Sequence, residues 1–248
     1  MNKLYPSVCC VIVMLFSLLT ANAQVEYKPG YAILNDGTRI SGLISINNGS
    51  PWYNQRYMRL KDSLELTTKA EKDVKSKKVK VEDLKFYQVG DRKFDKVHYV
   101  DVENLQLKSL GANDHMMERV AMGKIDAHRY YSYPSDFKVY SGTSKQEVDE
   151  EVQKDHDDLV HGYKILVTKQ GDDKLRNAFD YDMQKYFEDT PDVLLKYQKG
   201  EYGNQPIVKK SGLAARMIAM AKKATFKTEE ADGIAAAIND YNNKNIAK

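Results

Sequence analysis

Cysteine is nearly absent from this chain, and its two examples lie close to the start. Cys9 and Cys10 fall inside an apolar run from Val8 to Leu19, and no cysteine follows in the 248 residues. If this run is removed after synthesis, the product has no disulfide, no thiol nucleophile and no zinc-thiolate site. The fold must then be held together by its hydrophobic core alone.

The apolar run is too short for a membrane-spanning helix. It contains 12 residues, whereas a bilayer needs about 20. Lys3 provides a positive start, and Ala21-Asn22-Ala23 has the small residues of a cleavage site. We therefore predict a signal peptide at residues 1–23, no transmembrane segment after its removal, and export to the periplasm or the exterior of a bacterial cell.

A strong excess of charge of either sign is also lacking. Cleavage removes only Lys3 from the 38 basic residues and leaves all 35 acidic residues, so the mature chain has a formal net charge of +2. Such a balance gives no general electrostatic attraction to a polyanion. Nucleic acid is therefore not an expected partner.

The usual catalytic and cofactor motifs are missing. There is no G-x-S-x-G for a hydrolase nucleophile, and neither G-x-x-x-x-G-K-[ST] nor G-x-G-x-x-G for a phosphate loop. His156 and His161 are five residues apart, which does not place both rings on one helix face, and Val160 stands where a calcium loop needs glycine. We expect no catalytic residue, metal or cofactor, although two well-placed carboxylates would suffice for a glycoside hydrolase.

A regular strand pattern is present in the mature chain. Residues 30–46 alternate apolar and polar side chains on both sides of Asn35-Asp36-Gly37-Thr38, which predicts a β-hairpin. Further strands are expected at 56–61, 85–89, 92–102, 104–110 and 162–168, with another hairpin at 116–133 that turns near Gly123. Residues 69–85 contain seven lysines. We interpret them as an exposed arm or sheet edge rather than an anion site.

The apolar period changes from two to 3.6 residues beyond Leu175, which indicates helices. They are expected at 179–187, at 191–199 with Thr190 as the cap and Gly200 as the stop, at 212–223, and in the last stretch through Tyr241. Before this region, the acidic residues 141–158 predict a loop or an exposed helix.

These patterns give the fold class α+β. An antiparallel β-sheet or partly open barrel is expected at residues 24–174, and a helical C-terminal region at 175–248. The short connection between them favours packing of the helices on the sheet.

Two motifs resemble those of a loose group of uncharacterised exported bacterial proteins with a β-rich N-terminal part and a helical C-terminal part. One is Gly30-Tyr31-x-Ile33 followed by Gly37-Thr38-x-Ile40-x-Gly42-x-Ile44, and the other is TPDVLLKYQKGEY at 190–202. The resemblance implies this order of strands and helices, and it implies no activity.

One group of aromatic residues is the candidate ligand-binding site. Trp52, the single tryptophan, lies with Tyr53 and Tyr57 just after a Gly-Ser-Pro turn at residues 49–51. Rings at a loop can stack on sugars or pack against a protein partner. The alternative is that they close the end of the sheet as part of the core.

The absence of catalytic motifs favours a non-catalytic interaction or structural protein of the bacterial envelope, whose partner is an envelope protein or a glycan. A glycan-binding module is the second hypothesis, and a carboxylate-dependent hydrolase is the third. The sequence does not indicate the oligomeric state.

Overall fold

The computed structural model describes residues 26–102, 113–135, 138–207 and 228–246. Ten strands are described within them: β1 (Tyr27–Leu34), β2 (Arg39–Ser45), β3 (Tyr57–Asp62), β4 (Lys77–Lys80), β5 (Leu84–Val89), β6 (Arg92–His98), β7 (Asp114–Ala121), β8 (Ile125–Tyr130), β9 (Lys164–Lys169) and β10 (Arg176–Asn177). They form one antiparallel sheet in the order β10-β9-β8-β7-β6-β5-β1-β2-β3-β4.

The helices described are α1 (Ser63–Leu66), α2 (Lys145–His161), α3 (Gln184–Phe187), α4 (Pro191–Lys199) and α5 (Thr228–Lys244). Two short 3-10 helices lie at Pro51–Gln55 and Glu71–Asp73. The predicted α+β class is confirmed, because the antiparallel sheet is followed by a helical C-terminal region. None of the helices described is long and apolar enough to cross a membrane.

The predicted hairpin at residues 30–46 is confirmed as β1 and β2. Gly37 in its turn has a φ of 88°, a conformation that glycine adopts without strain. The buried face includes Ala32 and Ile44, both 0% exposed. Tyr31 and Ile33 are only half-buried, because alternation along the strand places them on the opposite face from Ala32.

Two glycines permit a close approach of strands at this hairpin. Gly30 and Gly42 are partners across β1 and β2. A Cβ atom on Gly42 would lie 1.9 Å from the carbonyl oxygen of Lys61 in β3, and one on Gly30 would lie 2.3 Å from that of Gln88 in β5. Any larger residue here would force neighbouring backbones apart.

Most of the other predicted strands are confirmed. The segments at 56–61, 85–89, 92–102 and 162–168 correspond to β3, β5, β6 and β9, and the hairpin at 116–133 corresponds to β7 and β8. The lysine-rich segment contributes β4, which is an edge of the sheet as predicted. The expected strand at 104–110 lies outside the described residues.

The described residues form three apolar clusters, and charged residues lie between the two largest. The first contains Met116 of β7, whereas the second contains Ala121 of the same strand. Glu118 lies between them and accepts hydrogen bonds from Arg92 Nε at 2.8 Å and Arg129 Nη1 at 3.1 Å. The first cluster is built mainly from β1–β3 and β5–β7, while the second joins β7–β9 to the helical region.

The last helix, α5, packs on the sheet through an apolar stripe. Ala231, Ile234, Ile238 and Tyr241 are each no more than 1% exposed, as their helical spacing predicts. At the end of the stripe, the side-chain amide of Asn242 accepts from Ile125 N at 2.9 Å and donates to Ile125 O at 2.7 Å. This residue therefore satisfies both backbone groups at the start of β8.

The structure corrects two details of the helical region. The helix expected at 179–187 covers only 184–187, because side chains such as Asn177 and Asp182 accept bonds from backbone N–H groups two residues on and hold turns. Thr190 does not cap α4 through its hydroxyl, which instead accepts from Asn245 Nδ2 at 2.9 Å. The helix expected at 212–223 lies outside the described residues.

Candidate functional site

An open groove of about 510 Å³ lies beside the predicted tryptophan. Its walls come from the 3-10 helix at 51–55, from the segment that follows β8, and from α2. We call it the Trp52 groove and define it by Trp52, Tyr133, Pro134, Tyr140, Val152, Asp155, His156, Asp158 and Leu159. Its volume is in the range of small-molecule sites.

Side-chain amides hold the first two walls in place. Asn54 accepts from Asn47 N at 3.0 Å and donates to Asn47 O at 2.9 Å, which closes the loop before the 3-10 helix. Gln55 donates to Tyr131 O at 2.8 Å and accepts from Tyr131 N at 2.7 Å. The loop that carries Trp52 is thus attached to the chain beyond β8 by two hydrogen bonds between the Gln55 side chain and the Tyr131 backbone.

The third wall, α2, begins with a capping box in which Ser144 and Glu147 exchange hydrogen bonds. The sequence predicts a loop or an exposed helix here, and the structure has the helix, with none of its 17 residues buried. It carries seven carboxylates and two lysines. Of these charged residues only Asp155 and Asp158 line the groove, where Val152 and Leu159 form an apolar strip beside them.

The structure brings the three predicted ring residues together but exposes them differently. The ring centroids of Trp52 and Tyr53 are 5.9 Å apart, and those of Tyr53 and Tyr57 are 6.1 Å apart. Tyr53 is 45% exposed and Tyr57 is half-buried, whereas Trp52 is only 4% exposed. The indole therefore packs as core and borders the groove, and the two tyrosines carry the accessible aromatic surface.

Polar groups around the groove differ in whether they have partners. The indole Nε1–H of Trp52 has no acceptor among the described residues. Asp155 forms an ion pair with Lys138, whereas the exposed carboxylate of Asp158 contacts no cationic side chain within ion-pair distance in the described part of the chain. Lys138 also attracts the charge of Asp158, so both carboxylates of the groove lie near one cation, and the unpaired indole N–H is itself shielded from solvent.

Behind the groove, the buried His115 supports Tyr133. Its Nε2 lies 3.1 Å from the carbonyl oxygen of Tyr99, and its Nδ1 lies 3.2 Å from the hydroxyl of Tyr133. Because a carbonyl only accepts, Nε2 carries the proton and Nδ1 accepts from the tyrosine. Burial lowers the pKa of His115 to about 4 and raises the pKa of Tyr133 to about 12.

The pKa of His115 predicts a loss of stability in mild acid. An unfolded chain binds this proton below the ordinary pKa of 6.5, but the folded chain does not until about pH 4. The contribution of neutral His115 to the free energy of unfolding is therefore complete above pH 6.5 and is lost as the pH falls towards 4. We expect the free energy of unfolding to fall by about 2 kcal/mol between pH 7 and pH 5.

Urea unfolding at pH 7, 6 and 5 measures this effect. His115→Gln keeps a neutral polar side chain, and its stability should change less over the same interval. Arg56, Asp101 and Asp114 also act on the His115 charge, and all three are retained in both proteins. Equal pH slopes for the two proteins would contradict the assignment.

Sequence reasoning missed a cluster of charged residues that lies outside the groove. Asp95 accepts from Arg119 Nε at 2.7 Å and lies 3.0 Å from His128 Nε2. Burial opposes ionisation of Asp95, but the bonds from His128 and Arg119 outweigh it and lower its pKa to about 2. The three residues come from β6, β7 and β8, so no local sequence motif indicates that they meet.

The groove offers little for metal binding or hydrolysis. Its two carboxylates, Asp155 and Asp158, lie one turn apart on α2, whereas a glycoside hydrolase places its two carboxyl groups on either side of the scissile bond. Within the ranges that the structure describes, no three histidine, aspartate or glutamate side chains are grouped so as to hold a metal ion. Recognition of a ligand is the chemistry that these walls support.

The chain matches no protein-family model, no curated protein and no solved structure. The resemblance carried by the motifs at 30–44 and 190–202 therefore stays a prediction.

Proposed function

We propose that this protein is exported to the bacterial envelope and acts there as a non-catalytic interaction protein. The observation that carries the proposal is the Trp52 groove with its adjoining tyrosines. Apolar, aromatic and charged side chains converge on one open cavity of about 510 Å³, and an exposed ring at Tyr53 extends the surface. Sites of this composition recognise ligands through shape and a few polar contacts.

Export rests on the signal peptide predicted at residues 1–23. The small-residue cleavage pattern of Ala21-Asn22-Ala23 places the mature N-terminus at Gln24. The mature chain would then reach the periplasm or the exterior without disulfides, held by its apolar clusters.

A glycan is the second candidate ligand, and the two tyrosines favour it. Tyr53 and Tyr57 form a neighbouring ring pair at the surface, and the Lys78 ammonium lies 3.9 Å from the Tyr57 ring centroid. Paired rings with polar edges suit the apolar faces of sugars. The hydrolase hypothesis gains no support from the groove, because its carboxylates lie on one wall.

Site-specific photo-crosslinking in the native host tests the proposal. A photoreactive phenylalanine analogue at Tyr53 should capture an envelope component, whereas the same group at Leu195, which is 51% exposed on α4, should give background only. Mass spectrometry of the exported product should find Gln24 at its N-terminus. Equal capture at both positions, or a cytoplasmic chain that retains residues 1–23, would refute the proposal.

A further inference from the structure

Over β1 to β5, the side of the sheet opposite the first apolar cluster is open. Ile33 of β1 lies opposite Phe86 of β5, and both are half-buried, as is Leu43 of β2. Ala32, the neighbour of Ile33 on the other side, is 0% exposed. We call the open side the ring-cation face and define it by Tyr31, Arg39, Tyr57, Arg59, Lys78 and Phe86.

Tyrosine rings on this face hold cationic groups in place. The guanidinium carbon of Arg39 lies 3.9 Å from the ring centroid of Tyr31, and the ammonium of Lys78 lies 3.9 Å from that of Tyr57. The guanidinium carbon of Arg59 is 5.9 Å from the same Tyr57 ring. A cation over a ring face is attracted by its electrons, so the rings fix where these charges lie.

The cations of this face are not neutralised by carboxylates. Five exposed cations point to it and have no acidic partner within ion-pair distance in the part of the chain that the structure describes: Arg39, Arg59, Lys78, Lys80 and Lys93. Asp95 points to the same side, but Arg119 already binds it. A chain with a net charge near zero therefore has a locally basic surface. The lysines of β4 contribute to this surface and also protect the sheet edge.

We infer that the ring-cation face binds an acidic polysaccharide, a chain of uronate sugars whose carboxylates pair with these cations. None of the residues that define the face lines the Trp52 groove, so the inference goes beyond the proposed function. Arg39 lies six residues before Ser45 on β2, and Ser45 is opposite Arg59. The cations therefore extend over about 20 Å along the strands, which suits a polymer rather than a single sugar.

The chemistry of the face fits a uronate chain better than other polyanions. Bases of single-stranded nucleic acid stack on free aromatic rings, whereas Tyr31 and Tyr57 carry cations on theirs. A membrane surface takes up protruding apolar side chains, but the apolar residues here are half-buried and the exposed groups are charged. A carboxylate needs only the outward N–H groups of Arg39 and Arg59, which bind it in a fork geometry.

Fluorescence anisotropy with a defined probe tests the inference. An end-labelled oligogalacturonate should bind the full mature chain saturably in dilute salt. Its methyl ester, which has the same sugar chain without the charges, should not bind. Added salt should weaken the complex, because exposed charge pairs are screened. Equal binding of the acid and the ester would overturn the inference.

Two double variants locate the site. Arg39→Gln with Arg59→Gln should weaken oligogalacturonate binding at least about fivefold, as for two exposed ion pairs. Lys85→Gln with Lys154→Gln should weaken it less than about twofold, because distant charges are screened. Lys85 precedes Phe86 on β5 and so points to the other side, and Lys154 lies on α2; both are exposed. Each double variant removes two positive charges, so equal losses would mean general attraction and would overturn the site.

Tyr31→Leu removes the ring beneath Arg39 and keeps the charge. It should weaken the complex about threefold, as for one exposed cation–π contact, and an unchanged affinity would contradict the positioning of Arg39 by the ring. Circular dichroism melts show whether each variant folds. If Tyr31→Leu does not fold, the comparison of the two double variants still decides.

The remaining outcomes separate this inference from its rivals and from the proposed function. Tighter binding of oligothymidylate, or of phosphatidylglycerol vesicles, than of oligogalacturonate would overturn the inference and assign the face to nucleic acid or to a membrane. Absence of oligogalacturonate binding, with specific crosslinking at Tyr53 retained, would overturn this inference and leave the proposed function standing. Binding without specific crosslinking would support the ring-cation face and refute the proposal for the groove.

Discussion

Gly42→Ala is expected to destabilise the protein by about 3 kcal/mol or more, at the upper end of overpacking effects. The added Cβ would lie 1.9 Å from the carbonyl oxygen of Lys61 and 2.9 Å from its carbonyl carbon. These are backbone atoms of a paired strand, so no side-chain rotation relieves the clash. β2 and β3 must separate, and Met58 and Leu60 on β3 belong to the first apolar cluster.

Denaturant unfolding compares this variant with Gly49→Ala. A Cβ on Gly49 has a single neighbour within 4 Å, the Asn47 Oδ1 atom at 3.8 Å, which is an ordinary contact. That control should change stability by less than about 0.5 kcal/mol, as other surface substitutions do. Similar stabilities for the two variants would show that β2 and β3 are not packed this closely.

Asn242→Ala is expected to cost about 3 kcal/mol, because it leaves two buried backbone groups without partners. Asn242 is 7% exposed and forms both of its amide bonds with Ile125. Its neighbour Tyr241 packs in the second apolar cluster and donates to Asp189 at 2.9 Å. Loss of the amide should therefore loosen the end of α5 from β8.

Hydrogen exchange followed by mass spectrometry measures this loosening directly. Amides of 228–244 and the N–H of Ile125 should exchange faster in Asn242→Ala, while amides of β1 to β3 should keep their protection. Asn243→Ala removes the same amide from an exposed neighbour and should change neither exchange nor stability. If both variants exchange alike, the Asn242 contact does not fasten the helix.

The strands and hairpins could be predicted because their causes are local. Alternation and a turn sequence mark β1 and β2, and glycine at 37 supplies the positive φ that the turn requires. The buried face of β1 could not be read in the same way. Both faces carry apolar residues, and only the packing of the first apolar cluster decides that Ala32 is covered while Tyr31 is half-exposed.

The candidate site was only partly predictable for the same reason. Trp52 was identified by its turn and its neighbours, but the opposite wall is formed by residues 152–159, about a hundred positions later. No sequence period connects Trp52 with Asp158, and the contact of Trp52 with His156, at a centroid distance of 5.9 Å, arises only from the tertiary fold. The expected ring platform therefore proved to be two tyrosines beside a buried indole.

The division of the core by Glu118 also sets an order of assembly for a chain that emerges N-terminus first. Every residue of the first cluster lies between Ala32 and Met116, so that cluster can close while the rest of the chain is still being delivered. The second cluster needs Tyr241. Until α5 arrives, the apolar face of β8 and β9 lacks part of its cover, and we expect this half of the sheet to depend most on a chaperone or on rapid completion of the chain.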